Sequence, residues 1–61
     1  MAGYNLFFVD LCGAVLRWLV IGGDSDQEAL DLAASHDDGH DIEIWEGERL
    51  VAIFRSGKAR P

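Results

Sequence analysis

The stretch that decides the fold is IGGDSDQEAL, residues 21–30, where a strand pattern ends and a helix pattern begins. Gly22 and Gly23 end the strand, because glycine lets the chain turn out of a sheet. Ser25 and Glu28 have the spacing of a capping box, in which both side chains bond free amides at a helix start. An apolar stripe with helical periodicity follows and predicts one amphipathic helix. The stripe consists of Ala29, Leu30, Leu32, Ala33 and His36.

A β-hairpin is predicted on each side of this helix. The four predicted strands span residues 4–9, 14–21, 41–45 and 49–55. Asp10 and Gly13 suit a type I turn closed by a left-handed glycine, and Gly47 supplies the glycine of the second turn. The sequence therefore predicts an α+β fold of the ββαββ type, a four-stranded, mainly antiparallel sheet with one helix packed on one face. The strand order stays open, since the second hairpin can lie beside either strand of the first.

Residues 1–55 are predicted to form a single domain, and residues 56–61 lack periodicity and are predicted to be a flexible tail. A chain of 61 residues has a marginal core of its own. The single Cys12 excludes an intrachain disulfide as a remedy. Oligomerisation is the remaining way to add stability, so we expect a homodimer.

Charge excludes two classes of partner. The chain has 5 basic and 11 acidic residues, a formal net charge of −6, which repels phosphate backbones and anionic membrane surfaces. We therefore expect no nucleic acid and no membrane as partner. The start of the chain lacks the basic region of a signal peptide, and with the lone thiol this predicts a cytoplasmic protein.

The strands carry large apolar residues on both faces, but one helix covers only one face. If the first turn has three residues, strand alternation assigns the wholly apolar set to the helix side. That set is Tyr4, Leu6, Phe8, Leu16, Trp18, Val20, Ile42, Ile44, Val51 and Ile53. A turn one residue longer or shorter would exchange the two faces of the first hairpin.

The helix-free face is then predicted to be the homodimer interface, because monomers rarely leave a large apolar patch bare. Its predicted residues are Phe7, Val9, Arg17, Leu19, Trp45, Leu50 and Phe54. In the alternative arrangement the two hairpins wrap around the helix, and most of these residues enter one core.

The densest polar cluster has the residue types of a metal site. Its candidate ligands are His36, Asp38, His40 and Asp41. Zinc and other transition metals use imidazole and carboxylate ligands. The histidine spacing, however, crosses Gly39, so the two rings need not share a helix face, and the residues equally suit the end of a helix. We assign no metal, cofactor or catalytic residue, and keep a metal-binding protein as an alternative.

Three segments together resemble a group of small uncharacterised bacterial proteins. They are FVD at residues 8–10 with Gly13, the acidic helix start at 24–29, and DGHDIEIWEGER at 38–49. The similarity spans nearly the whole chain. It implies a compact α+β domain and carries over no activity.

No catalytic signature is present, so we do not expect an enzyme. The sequence predicts a small interaction or regulatory module that forms a homodimer, with an unidentified protein as a second candidate partner. A further alternative, suggested by the net charge, is an acidic mimic of nucleic acid that binds a basic protein.

Overall fold

The computed structural model describes residues 2–56. It contains four strands and one helix in the predicted ββαββ order, all strand pairs being antiparallel. The elements are β1 (Ala2–Val9), β2 (Val15–Gly23), α1 (Asp26–Ser35), β3 (Asp41–Glu46) and β4 (Arg49–Phe54). They form one sheet of order β2-β1-β3-β4, so β1 and β3 are central and the second hairpin lies beside β1. The predicted α+β fold is confirmed.

The start of α1 is capped as predicted. The Ser25 hydroxyl accepts a hydrogen bond from the Glu28 amide at 3.2 Å. The Glu28 carboxylate in turn accepts from the amide of Asp24 at 2.6 Å, one residue before the usual position in a capping box. Two free amides at the helix start are thereby satisfied, and the sequence signal was sufficient to locate this boundary.

The helix packs on the sheet through its alanines. Ala29 and Ala33 are fully buried against apolar side chains of the two central strands. The buried members on the sheet are Tyr4, Leu6, Phe8, Ile42 and Ile44. The predicted stripe was too wide, however, because Leu32 is 37% exposed and His36 is also exposed. Small side chains hold the helix close to the sheet, so only a narrow strip of α1 is covered.

The first turn has the predicted form. The Gly13 amide donates to the Asp10 carbonyl, and Gly13 has φ +87°. The Asp10 carboxylate accepts from the amides of Cys12 and Ala14 at 2.9 and 3.0 Å. This is a three-residue turn, so the turn itself would have given the predicted faces.

An extra residue in β2 reverses those faces. Val9 pairs with Val15 but Phe8 pairs with Arg17, which leaves Leu16 as a β-bulge. From Arg17 onward every side chain of β2 lies on the face opposite to the prediction, because alternation has a period of two. Trp18 was placed in the core and this was wrong, since it is 58% exposed. Leu16 and Val20 were misplaced in the same way.

A second bulge has the same effect in β4. Trp45 pairs with Leu50 but Ile44 pairs with Ala52, which leaves Val51 as the extra residue. Ala52 and the residues after it therefore change face relative to the prediction. Phe54, predicted for the interface, packs against the core, whereas Ile53, predicted for the core, is 40% exposed. Val51 itself stays half-buried against the core, as predicted.

A polar cluster fastens the helix start to the sheet. The buried Tyr4 donates its hydroxyl to Asp26 at 3.0 Å, and Arg49 donates to both oxygens of Asp26 and to Glu46. Hydrogen bonds from Arg49 and then Tyr4 lower the pKa of Asp26. Burial, followed by the bond to Asp26, raises the pKa of Tyr4. Each partner thus favours the charge state that holds α1 against β1 and β4.

The described chain continues past the last strand. Ser56 is buried, and its amide donates to the Asp41 carboxylate at 3.1 Å. Order therefore extends one residue into the segment predicted as a flexible tail, because Asp41 provides an acceptor there. The rest of that segment, 57–61, lies outside the described residues.

Candidate interaction surface

The surface of interest is the side of the sheet opposite α1, here called the open face. Besides Val9 and Val15 near the first turn, strand pairing places six large apolar side chains on it, Phe7, Trp18, Val20, Trp45, Leu50 and Ile53. Among them Trp18 is 58% and Val20 64% exposed, and Leu50 is 44% exposed. These values are unusual for large apolar residues clustered on one side of a small domain.

The aromatic residues of the open face are held in fixed positions. Phe7 and Trp18 are cross-strand partners whose rings stack at 6.4 Å between centroids, with 12° between their planes. The indole N–H of Trp18 donates to the Asn5 side chain at 3.1 Å. The indole N–H of Trp45 donates to Glu43 at 3.1 Å. A partner could therefore cover both indoles without leaving a donor unpaired.

Four of the predicted interface residues belong to the open-face side of their strands. Phe7, Trp45 and Leu50 are among the six residues that define it. Val9 alternates with the buried Phe8 and pairs with Asp41, but it is only 7% exposed, so it offers little surface to a partner. Glu43 and Asn5 also lie on this side.

Three predicted interface residues lie on the helix side, and their assignment was wrong. Leu19 and Phe54 pack against the core cluster. Arg17 extends over the Phe8 ring, with 4.1 Å between its guanidinium carbon and the ring centroid, and forms an ion pair with Asp38 at 3.4 Å. The cause is in each case a bulge that precedes the residue in its strand.

The open face instead contains Trp18, Val20 and Ile53. The sequence pattern could not have assigned these residues to it. In residues 15–21, both the odd-numbered and the even-numbered positions are apolar, except for Arg17. Neither register therefore leaves a row of charged side chains that would identify the solvent-facing side. The one available signal was Asn5, whose side chain can reach an indole across the strand pair.

A shallow groove of about 250 Å³ lies at the end of the open face nearest the first turn. It is lined on one side by Val9, Leu11 and Ile53 and on the other by carboxylates and one guanidinium. Asp10 in this groove is committed to the amides of the turn, and Arg55 donates to Asp41 at 3.3 Å. The polar groups here serve the local structure.

The candidate metal ligands do not converge. His40 contacts Asp38 through Nδ1 at 3.2 Å, while Asp41 accepts from the Ser56 amide and from Arg55. His36 is exposed at the end of α1. Burial opposes ionisation of Asp38, but the backbone and ring of His40 outweigh it and lower the pKa of that carboxyl. Within residues 2–56, no three His, Cys, Asp or Glu side chains are placed to hold one ion.

Comparison with protein family models, with curated proteins and with solved structures gives no match. No helix in the described part of the chain has the length and hydropathy needed to cross a membrane. The resemblance noted in the sequence stays a prediction.

Proposed function

We propose that this protein is a small interaction module whose open face packs against the open face of a second copy. One observation carries the proposal. Trp18 is more than half exposed, yet its ring is already stacked on Phe7 and its N–H already bonded to Asn5. When a partner covers such a side chain, little side-chain conformational entropy is lost and no hydrogen-bond donor is left unpaired. Both are properties of a residue that anchors an interface.

A second copy is the partner that the surface suits best. The acidic residue at the centre of the open face is Glu43, and its carboxylate is occupied by the Trp45 N–H. Two chains of net charge −6 repel each other in most orientations, but this face brings few charges together. Two sheets stacked about 10 Å apart would form a sandwich with α1 of each copy on the outside.

An interface of modest area would be sufficient. Covering about 500 Å² of apolar surface on each copy gives a total near the ~1,000 Å² expected of a biological interface. The gross transfer free energy is ~12 kcal/mol per copy, against an association cost of ~4–15 kcal/mol for the pair. Association would also add a second apolar layer to a domain whose fully buried large side chains are Phe8, Leu6, Ile42 and Ile44.

We expect the dimer to act in the cytoplasm. Cys12 is exposed in the first turn, and a reducing compartment would keep this thiol free. As an interaction or regulatory module, the proposed dimer would present two α1 helices, each with Asp26 and Glu28 in an acidic first turn, on opposite sides of one particle.

The test is a Trp45→Lys substitution with mass measured by size-exclusion chromatography and light scattering at micromolar concentration. Trp45 lies on the central strand β3, so a charge there disturbs the open face and leaves both sheet edges intact. We expect the mass of the variant to be half that of the unsubstituted protein.

The matched control is Leu32→Lys, which adds the same charge at an exposed apolar residue of α1. It should leave the mass unchanged. Equal masses for the Trp45→Lys variant and the unsubstituted protein, or an unsubstituted protein that is a monomer throughout, would overturn the proposal.

A further inference from the structure

The two edges of the sheet differ in a way that the open face does not explain. Within residues 2–56, which form a sheet of order β2-β1-β3-β4, strands β2 and β4 are each paired on one side. On the other side, alternate residues of an edge strand direct backbone N–H and C=O groups outward. Such groups can pair with a further strand unless the edge is protected.

The β4 edge carries three recognised protections. It is only 6 residues long, its regular pairing is broken by the extra residue Val51, and arginines stand at 49 and 55 at its two ends. Short length, a bulge and charged side chains each hinder the docking of another strand. This edge is built to stay unpaired.

The β2 edge lacks these protections over most of its length. It is 9 residues long, and its bulge at Leu16 lies near its start, so Arg17 to Gly23 pair regularly with β1. Arg17 is the charged residue in the strand, and its guanidinium is turned toward Phe8 and Asp38 on the helix side. A long, regular and nearly uncharged edge is a template for strand addition.

Charge directs a second copy to this same edge. Strands β1 and β2 read AGYNLFFV and VLRWLVIGG, so all 11 acidic residues of the chain lie elsewhere. Two copies of an acidic chain therefore repel least when they approach along β2. The approaching edge is equally unpaired in both copies, and an antiparallel contact across a two-fold axis satisfies both at once.

We propose that β2 pairs antiparallel with β2 of a second copy, joining two four-stranded sheets into one continuous sheet. Pairing about the middle of the strand brings the two Val20 side chains together and keeps the two Arg17 side chains at opposite ends. This contact is distinct from the packing of open faces, and either can form without the other. Where both form, the particle is a tetramer with two-fold axes of both kinds.

The experiment compares charges on the two edges in the Trp45→Lys variant, in which packing of the open faces is disabled. Val20→Lys places like charges opposite each other at the β2 edge, whereas Leu50→Lys places the same charge on the β4 edge. We expect the Trp45→Lys protein and its Leu50→Lys derivative to be dimers, and the Val20→Lys derivative to be a monomer. Light scattering at micromolar concentration measures all three.

The outcomes separate the two proposals. A dimeric unsubstituted protein that becomes monomeric with Trp45→Lys overturns edge pairing and leaves open-face packing supported. A dimer whose mass is the same before and after Trp45→Lys overturns open-face packing and leaves edge pairing supported. Equal effects of Val20→Lys and Leu50→Lys also overturn edge pairing, because only one of the two edges is proposed to pair.

Amide hydrogen exchange in the unsubstituted protein supplies a readout that needs no variant. On going from dilute to concentrated protein, outward amides of β2 should exchange about tenfold more slowly, while those of β4 should keep their rate. Slowing at both edges, or at neither, would contradict the proposal.

Discussion

The two faces of the sheet are made of similar residues and have opposite surroundings. Phe8 is fully buried under α1, whereas its neighbour Phe7 lies on the open face and stacks on an exposed Trp18. Both faces contain aromatic and branched aliphatic side chains, so composition does not distinguish them. What separates them is the single helix, which covers one face and leaves the other exposed.

The polar groups of the two faces also have different roles. On the helix side, Tyr4 and Asp26 form part of a hydrogen-bonded cluster that fastens α1 to the sheet. On the open face, Asn5 and Glu43 accept hydrogen bonds from the N–H groups of the two indoles. One set of bonds closes a core, and the other holds two indole rings in place on the open face.

The largest expected effect comes from truncating the two adjacent phenylalanines. Phe8→Ala leaves a cavity in the core and should lower the free energy of unfolding by about 3–5 kcal/mol. Phe7→Ala removes a surface stack and should cost ~1 kcal/mol in dilute protein, where open-face contacts are absent. Urea denaturation of both variants at low concentration measures the difference. Equal losses would show that both faces are buried within one chain.

Deleting single residues of β2 tests the origin of the two faces. Removing Leu16 turns the bulge into a regular ladder and keeps every later residue on its observed face, so the cost should be about 1 kcal/mol or less. Removing Val20 from the regular part of the strand forces residues on one side of the gap onto the wrong face and should cost ~3 kcal/mol or more.

Thermal denaturation compares the two deletions, and tryptophan emission reports whether Trp18 stays exposed. A Leu16 deletion that moves Trp18 into an apolar environment would show that the bulge is not what sets the faces.

A smaller effect is expected from acid, and it should arise on the helix face. Because its folded pKa lies below the ordinary 3.8, Asp26 contributes stability that is present above that value and is lost as pH falls through the folded pKa. Asp26→Asn should therefore flatten the fall in urea midpoint between about pH 5 and about pH 2. The control is Asp31→Asn, on the outer side of α1, where the carboxylate accepts from Gln27.

An unchanged pH profile in the Asp26→Asn variant would show that the cluster with Tyr4 and Arg49 does not hold the helix in solution. A flattening of equal size in both variants would point to general surface charge as the cause.

Much of the local structure follows from the sequence because its signals act over a few residues. Ser25 and Glu28 mark the helix start: Ser25 forms the capping-box bond to the Glu28 amide, and Glu28 accepts from the neighbouring Asp24 amide. Asp10 and Gly13 mark the first turn, since a carboxylate can accept from the turn amides and glycine tolerates a positive φ. Ile42 and Ile44 are buried as predicted, because β3 pairs regularly with the central strand β1.

The open face was predicted to exist, but several of its residues were not. Trp18 and Ile53 were assigned to the core and Leu19 and Phe54 to the surface, and each pair is reversed. One extra residue in a strand cannot be recognised from the sequence when the side chains on both faces of that strand are apolar. It changes no local preference, yet it rotates every later side chain to the other face.

By itself, the sequence determined the elements and their turns, the single helix, the excess of apolar strand residues and the acidic balance of the chain. Each of these depends on the residue types present or on interactions between near neighbours. The tertiary structure alone decided the strand order, the bulges at Leu16 and Val51, and hence which side chains face the helix. Those features depend on pairing between distant segments, where the best packing of α1 against the sheet outweighs regular alternation.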